Sequence, residues 1–119
     1  MEELKLCDSD YRFMTLIWEN EPVSSGKLVE LSLEKLGWEK STTYTVLKKL
    51  CEKGFARNEN ALVTSVIPRE SVQAFESERF VERTFEGSLP AFLAAFSKRK
   101  KYTDEEVEKM KQILDSMRG

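Results

Sequence analysis

The sequence predicts a mainly α-helical chain with one small β-hairpin, built in two parts that meet near residue 68. Three observations carry that prediction. Segments 8–20, 24–36 and 41–53 repeat apolar residues at three- and four-residue spacing, and each is stopped by a Pro or a Gly. "FAR" and "LVTSVI" then flank the polar tip "NENA", two short β-type runs around a turn. After Pro68 the pattern changes to apolar helices, with five of the chain's seven phenylalanines between residues 75 and 96.

The first helix is "DSDYRFMTLIWEN". Asp8 and Asp10 suit its positive N-terminal end, and Phe13, Met14, Ile17 and Trp18 form its apolar stripe. Asn20-Glu21-Pro22 ends it, because the residue before a proline avoids the helical region. The second helix opens after Val23 with Ser24 as N-cap; Leu28, Leu31 (or Val29) and Leu36 face inward, and Gly37 closes it. The third runs from about Ser41 to Lys53 and ends at Gly54. Its inner face holds Thr43, Val46, Leu47 and Leu50, and its outer face Ser41, Thr42, Tyr44, Thr45, Lys48, Lys49 and Glu52.

Beyond the hairpin, "ESVQAFESERFVERTFEG" reads as a long helix and "SLPAFLAAFSK" as a short apolar one, with Ser88 as N-cap and Pro90 in the first turn. "TDEEVEKMKQILDSM" opens with Thr103 and Glu106 at capping-box spacing. Val107, Met110, Leu114 and Met117 follow at three-four-three spacing, a coiled-coil-like seam. Either these three helices cover their apolar surface against the first helix of the same chain, or they form a homodimer interface. Their apolar content favours the dimer, built from Phe75, Phe80, Phe85, Phe92 and Phe96 together with the Val107–Met117 seam.

The composition excludes several classes of function. The chain has 119 residues, a net charge of −2 and no histidine, so the usual general base and the commonest metal ligand are both missing. Cys7 and Cys51 make neither a disulfide framework nor a four-ligand metal site. An enzyme would need a carboxylate pair or an activated Cys7, and no spacing indicates either; neither a cofactor nor a catalytic residue is expected. "MEELKLCDSDYRFM" has no apolar signal core and no run approaches a membrane span, so a reducing cytoplasmic location is the default expectation.

The distribution of charge says more than the total. Residues 1–37 carry four positive and eight negative groups, residues 38–57 five positive and two negative, and the rest ten and eleven. The positive excess thus coincides with the third helix, which opens Ser-Thr-Thr-Tyr-Thr although hydroxyl side chains compete with the helical backbone. Helix, helix, helix, hairpin is the winged helix-turn-helix order, in which the third helix enters the major groove and the hairpin flanks the backbone. Short hydroxyl side chains let a helix approach base edges and offer a methyl to thymine. Lys40, Lys48, Lys49 and Lys53 would meet phosphates, and Tyr44 a base, sugar or phosphate. The competing explanation is an ordinary solvated helix face.

The spacing Trp38…Thr42…Thr45-Val46-Leu47-Lys48-Lys49-Leu50…Lys53-Gly54-Phe55 resembles the penicillinase repressor family. So do "KLCDSDYRFMTLIWENEPVSSGKLVELS" and, in the second half, "FVERTFEGSLPAFLAAF" with "YTDEEVEKMKQILDSM". The resemblance implies a homodimeric winged-helix transcriptional repressor, with residues 1–67 binding a double-stranded DNA operator of dyad symmetry and residues 68–119 dimerising. It makes Thr42 and Thr45, with the adjacent Lys40, Ser41, Tyr44, Lys48 and Lys49, the DNA-facing set.

Departures from the family pattern mark where that expectation thins. The wing tip "RNENAL" is short and carries Glu59 where basic residues are common, leaving Arg57 as the wing's phosphate ligand. Cys7 stands where Ser or Thr is common, either as a reactive thiol at a helix start or as a conservative exchange, and Cys51 belongs to the core. In the penicillinase repressors a membrane sensor-protease cleaves in the second half. The resembling bond here is Ala95-Phe96, with Ala95 in place of the characteristic Asn. The cysteine cluster of the copper-responsive relatives is missing from "ILDSMRG", which excludes metal sensing by that route. Lys98-Arg99-Lys100-Lys101 is a solvated loop or a backbone contact. The alternative to a repressor is a winged-helix protein–protein adaptor that does not bind DNA specifically, for which the acidic wing speaks.

Overall fold

A computed structural model describes residues 4–119; the first three residues of the expected 1–67 domain lie outside the described residues. Helix α1 spans Asp8–Asn20, with Asp8 and Asp10 in its first turn. Its buried stripe is Phe13, Met14, Leu16 and Ile17, while Trp18 is half-buried and donates its indole N–H to the Ile67 carbonyl at 3.0 Å. Helix α2 spans Ser25–Leu36. The Ser24 hydroxyl caps it by accepting the Lys27 N–H at 3.0 Å, and Gly37 closes it in the left-handed conformation, φ 70°, which costs glycine no Cβ clash.

Between the two helices lies a strand that the helical periodicity did not announce: β1, only Val23–Ser24. It exists because a neighbour supplies its hydrogen bonds. Strands β2 (Ala56–Glu59) and β3 (Leu62–Ser65) form the hairpin, and β1 joins the free edge of β3 to give the order β1-β3-β2. All pairs are antiparallel, with Val23 opposite Val63 and Glu59 opposite Leu62. Val23 and Val63 are both buried. Asn58 and Glu59 are therefore strand residues, and the turn shrinks to Asn60-Ala61, with φ 54° and 63°. Two successive positive φ values are the type I′ signature that matches the twist of paired strands. A second tie holds the sheet to α1: the Glu21 carboxylate accepts the Ser65 backbone N–H and hydroxyl, each at 2.8 Å.

Helix α3, Lys40–Glu52, lies mainly against α2 and β2. Thr43 and Leu50 are fully buried, Leu47 nearly so, and Val46 is half-buried. The core they enter joins Phe13, Met14, Ile17, Leu28, Phe55, Val63 and Val72, with Trp38 stacked on Phe13 at 5.5 Å. The arrangement is a winged helix domain.

The second half contains α4 (Arg69–Phe85), α5 (Leu89–Phe96) and α6 (Asp104–Ser116). Ser88 caps α5 and Thr103 with Glu106 forms a complete capping box on α6. The chain divides into two compact units, residues 1–78 and 79–119, so the division falls inside α4. In the second unit Phe80, Phe85 and Phe92 meet edge to face at 5.6 to 6.0 Å. Yet neither α5 nor α6 buries a single residue.

Candidate nucleic-acid interface

Helix α3 turns its polar face outward for the reason its sequence suggests. With Thr43, Leu47 and Leu50 committed to the core, the 3.6-residue repeat leaves Ser41, Thr42, Thr45 and Lys48 exposed. Thr42, Thr45 and Lys49 follow at i, i+3 and i+7, one line along the helix. The Thr45 hydroxyl donates to the Ser41 carbonyl at 2.9 Å. With its hydrogen so used, the Thr45 oxygen can only accept from a ligand, and its methyl is the other group on offer. Tyr44, 38% exposed, has its phenol oxygen 3.5 Å from the Ser25 hydroxyl at the start of α2. The exposed face of α3 is thereby joined to the preceding helix.

The cations divide into two sets. Lys40, Lys48 and Lys53 are exposed, and among the described residues no ion pair engages them. Lys49 is different. Its ammonium lies 3.0 and 2.9 Å from the two carboxylate oxygens of Asp10, a residue only 3% exposed, while the Lys49 side chain itself stays 43% exposed. Arg57 on β2 is also paired, its Nε 3.3 Å from Glu59. These residues are two apart on one strand and so share a face. Glu59 thus engages the wing's cation, with both side chains still exposed to solvent, as well as adding the carboxylate that the sequence singles out.

For the apolar set, the structure places Phe80, Phe96, Val107, Leu114 and Met117 in the exposed class, from 38% to 59%, and Phe85, Phe92 and Met110 half-buried. Phe75 stands apart: it is 8% exposed and already covered by its own chain. A groove of about 350 Å³ between α5 and α6 is lined by Leu89, Leu93, Val107, Met110, Ile113, Leu114 and Met117, with Lys111 beside them. Ile113, at 60%, is the most exposed of these and was not among the expected residues. It sits one place off the three-four-three seam, and only the position of α5 brings Leu89, Leu93 and Ile113 into one surface.

The thiols also differ. Cys7 is exposed, with its sulfur 3.4 Å from the Ser9 hydroxyl. Burial pushes the half-buried Cys51 thiol up, the Glu52 charge adds to this, and a hydrogen bond with the Asn58 backbone opposes it. Ala95-Phe96 forms the last two residues of α5. Among the described residues no three His, Cys, Asp or Glu side chains converge as a metal ion would need, and no helix is long and apolar enough to cross a membrane.

Comparison with known proteins agrees with this architecture. The family profile described as penicillinase repressor matches residues 6–116. The methicillin resistance regulatory protein MecI of Staphylococcus aureus is 19% identical over 115 residues, covering 93% of this chain and 94% of its own. The penicillinase repressor of Bacillus licheniformis is 21% identical over 115 residues, covering 93% and 90%.

Proposed function

Because this chain belongs to the penicillinase repressor family, we propose that it is a transcriptional repressor that binds a dyad operator as a homodimer. The observation that carries the reading is the exposed line of Thr42 and Thr45 on α3, flanked by Lys40, Lys48 and Lys53, which are exposed and meet no ion pair among the described residues. Hydroxyls and methyls on a helix meet the donor, acceptor and methyl pattern of the major groove, while the lysines neutralise phosphates. Two such helices, one from each protomer, read half-sites about one helical turn apart, roughly 34 Å, or a multiple of it. Occupancy of the operator blocks transcription.

Dimerisation supplies what the second unit lacks. Residues 79–119 expose the α5–α6 groove and leave Ile113 and Met117 about 60% in water, an apolar surface that one chain leaves open. A second copy of the same groove closes it, and two-fold pairing places the two winged domains for a palindromic site. Acting on DNA, such a repressor works in the cytoplasm.

The test is fluorescence anisotropy on the duplex upstream of the protein's own gene, against a scrambled duplex, across salt concentrations. Tight, salt-dependent binding that outcompetes the scramble supports the reading, and Lys48→Ala lowers the salt slope by about one. The Arg57–Glu59 pair on the wing favours a second reading, an adaptor that contacts protein instead of DNA. Weak and equal binding of every duplex, including those from a genome-wide selection, would decide for the adaptor.

A further inference from the structure

The feature that the DNA-binding role leaves unexplained is the Asp10–Lys49 pair. Lys49 continues the line of Thr42 and Thr45, so its position along α3 is that of a phosphate ligand. Its ammonium is nonetheless bonded to both carboxylate oxygens of Asp10, a residue 3% exposed that lies 39 residues earlier in the chain, although the Lys49 side chain stays 43% exposed. Asp10 stands in the first turn of α1 and Lys49 in the last turn of α3, so each charge also faces the favourable end of its own helix dipole. The pair is therefore held from both sides.

Resting on the major-groove reading of α3, we propose that Lys49 is a positioning residue: its bond to Asp10 sets the angle of the recognition helix, and it neutralises no phosphate. The geometry gives the reason. Helix α3 leans chiefly on α2 and β2, and the Asp10–Lys49 pair ties its last turn to α1. With its last turn released, α3 tilts about its first turn; Thr45 lies five residues, about 7.5 Å along the axis, from Lys40, so a tilt of about 10° carries Thr45 by about 1.3 Å. Hydrogen bonds tolerate only about 0.5 Å in donor–acceptor distance. A helix released at this end keeps its flexible lysines near phosphates while Thr45 loses its base edge. The consequence is loss of discrimination, with non-specific binding largely retained.

Three variants of the full chain test this: Lys49→Met, the near-isosteric Asp10→Asn, and Lys48→Ala as the phosphate-contact reference. Circular dichroism first establishes the temperature at which each is folded, and Asp10→Asn keeps the test open if Lys49→Met unfolds. Operator and scrambled duplexes are then titrated across salt. The expected result is that Lys49→Met and Asp10→Asn each lose about ten-fold in operator preference, within the range one base contact supplies. Lys49→Met keeps the wild-type salt slope, Lys48→Ala lowers it by about one, and the double variant Asp10→Asn/Lys49→Met is no worse than either single one. A slope that falls by about one in Lys49→Met makes Lys49 a phosphate ligand and overturns the proposal. An unchanged operator preference in both folded single variants leaves the pair a purely structural bond and also overturns it. If the wild type shows no preference and Lys48→Ala no change in slope, the major-groove reading itself fails, and with it the positioning role.

Discussion

Replacing Ala61 by glycine should stabilise this protein, although it removes a methyl group and touches no core residue. The cause is backbone strain at the wing tip. Asn60 and Ala61 both lie at positive φ, 54° and 63°, as a two-residue type I′ turn requires. Asparagine tolerates this conformation, but the alanine Cβ crowds the following carbonyl, at a cost of about 1–2 kcal/mol. Glycine removes the clash and gives back about 0.4–1 kcal/mol through the greater freedom of the unfolded chain. The net gain is about 0.5–1 kcal/mol. The Ser25 N–H that bonds the Ala61 carbonyl at 2.8 Å is a backbone donor to a backbone acceptor, so the substitution preserves it. Urea unfolding at fixed protein concentration provides the assay: the midpoint rises while the m-value stays constant, because the surface exposed on unfolding hardly changes. In a thermal scan the gain corresponds to about 2–6 °C. An unchanged or lower midpoint at constant m-value would refute the claim that Ala61 is held in a strained left-handed state.

Other consequences follow from single features. Thr45→Ala removes both the methyl and the accepting oxygen on the exposed face of α3, and should weaken operator binding by about 1–3 kcal/mol with little effect on scrambled DNA, measured by competition anisotropy. Ile113→Glu places a carboxylate at the α5–α6 groove; sedimentation equilibrium should show the dimer weakened at least about ten-fold, the equivalent of about 1.4 kcal/mol, with helical content retained. In the α6 capping box the Thr103 backbone N–H, then its hydroxyl, hold the Glu106 carboxyl below its ordinary value of 4.5. Its contribution is therefore present above pH 4.5 and lost as pH falls through the lowered folded value. Glu106→Gln should accordingly be less helical than wild type by circular dichroism near neutrality, with the gap closing in acid.

Much of this molecule could be read from local chemistry. The span of α1 is legible because Asp8, Asp10 and Glu21-Pro22 act on their own backbone. Ser24, Gly37, Ser88 and the Thr103–Glu106 box do the same for the later helices. The outward face of α3 is legible because burial of Thr43, Leu47 and Leu50 dictates the rest through helical geometry. The pairing of Arg57 with Glu59 was within reach too, since a strand turns alternate residues to one side.

What remained hidden depends on distant parts of the chain. β1 is two residues long and carries no periodicity; β3 makes it a strand by accepting it at its edge. Ile113 joins an apolar groove only because α5 brings Leu89 and Leu93 to α6. The sequence by itself determined which side chains of α3 point away from the core, since a repeat of 3.6 residues is a local property. Only the tertiary structure decided what the cation at Lys49 meets there. Its partner, Asp10, is 39 residues away and is brought near by the packing of α1, and no pattern within α3 encodes that approach.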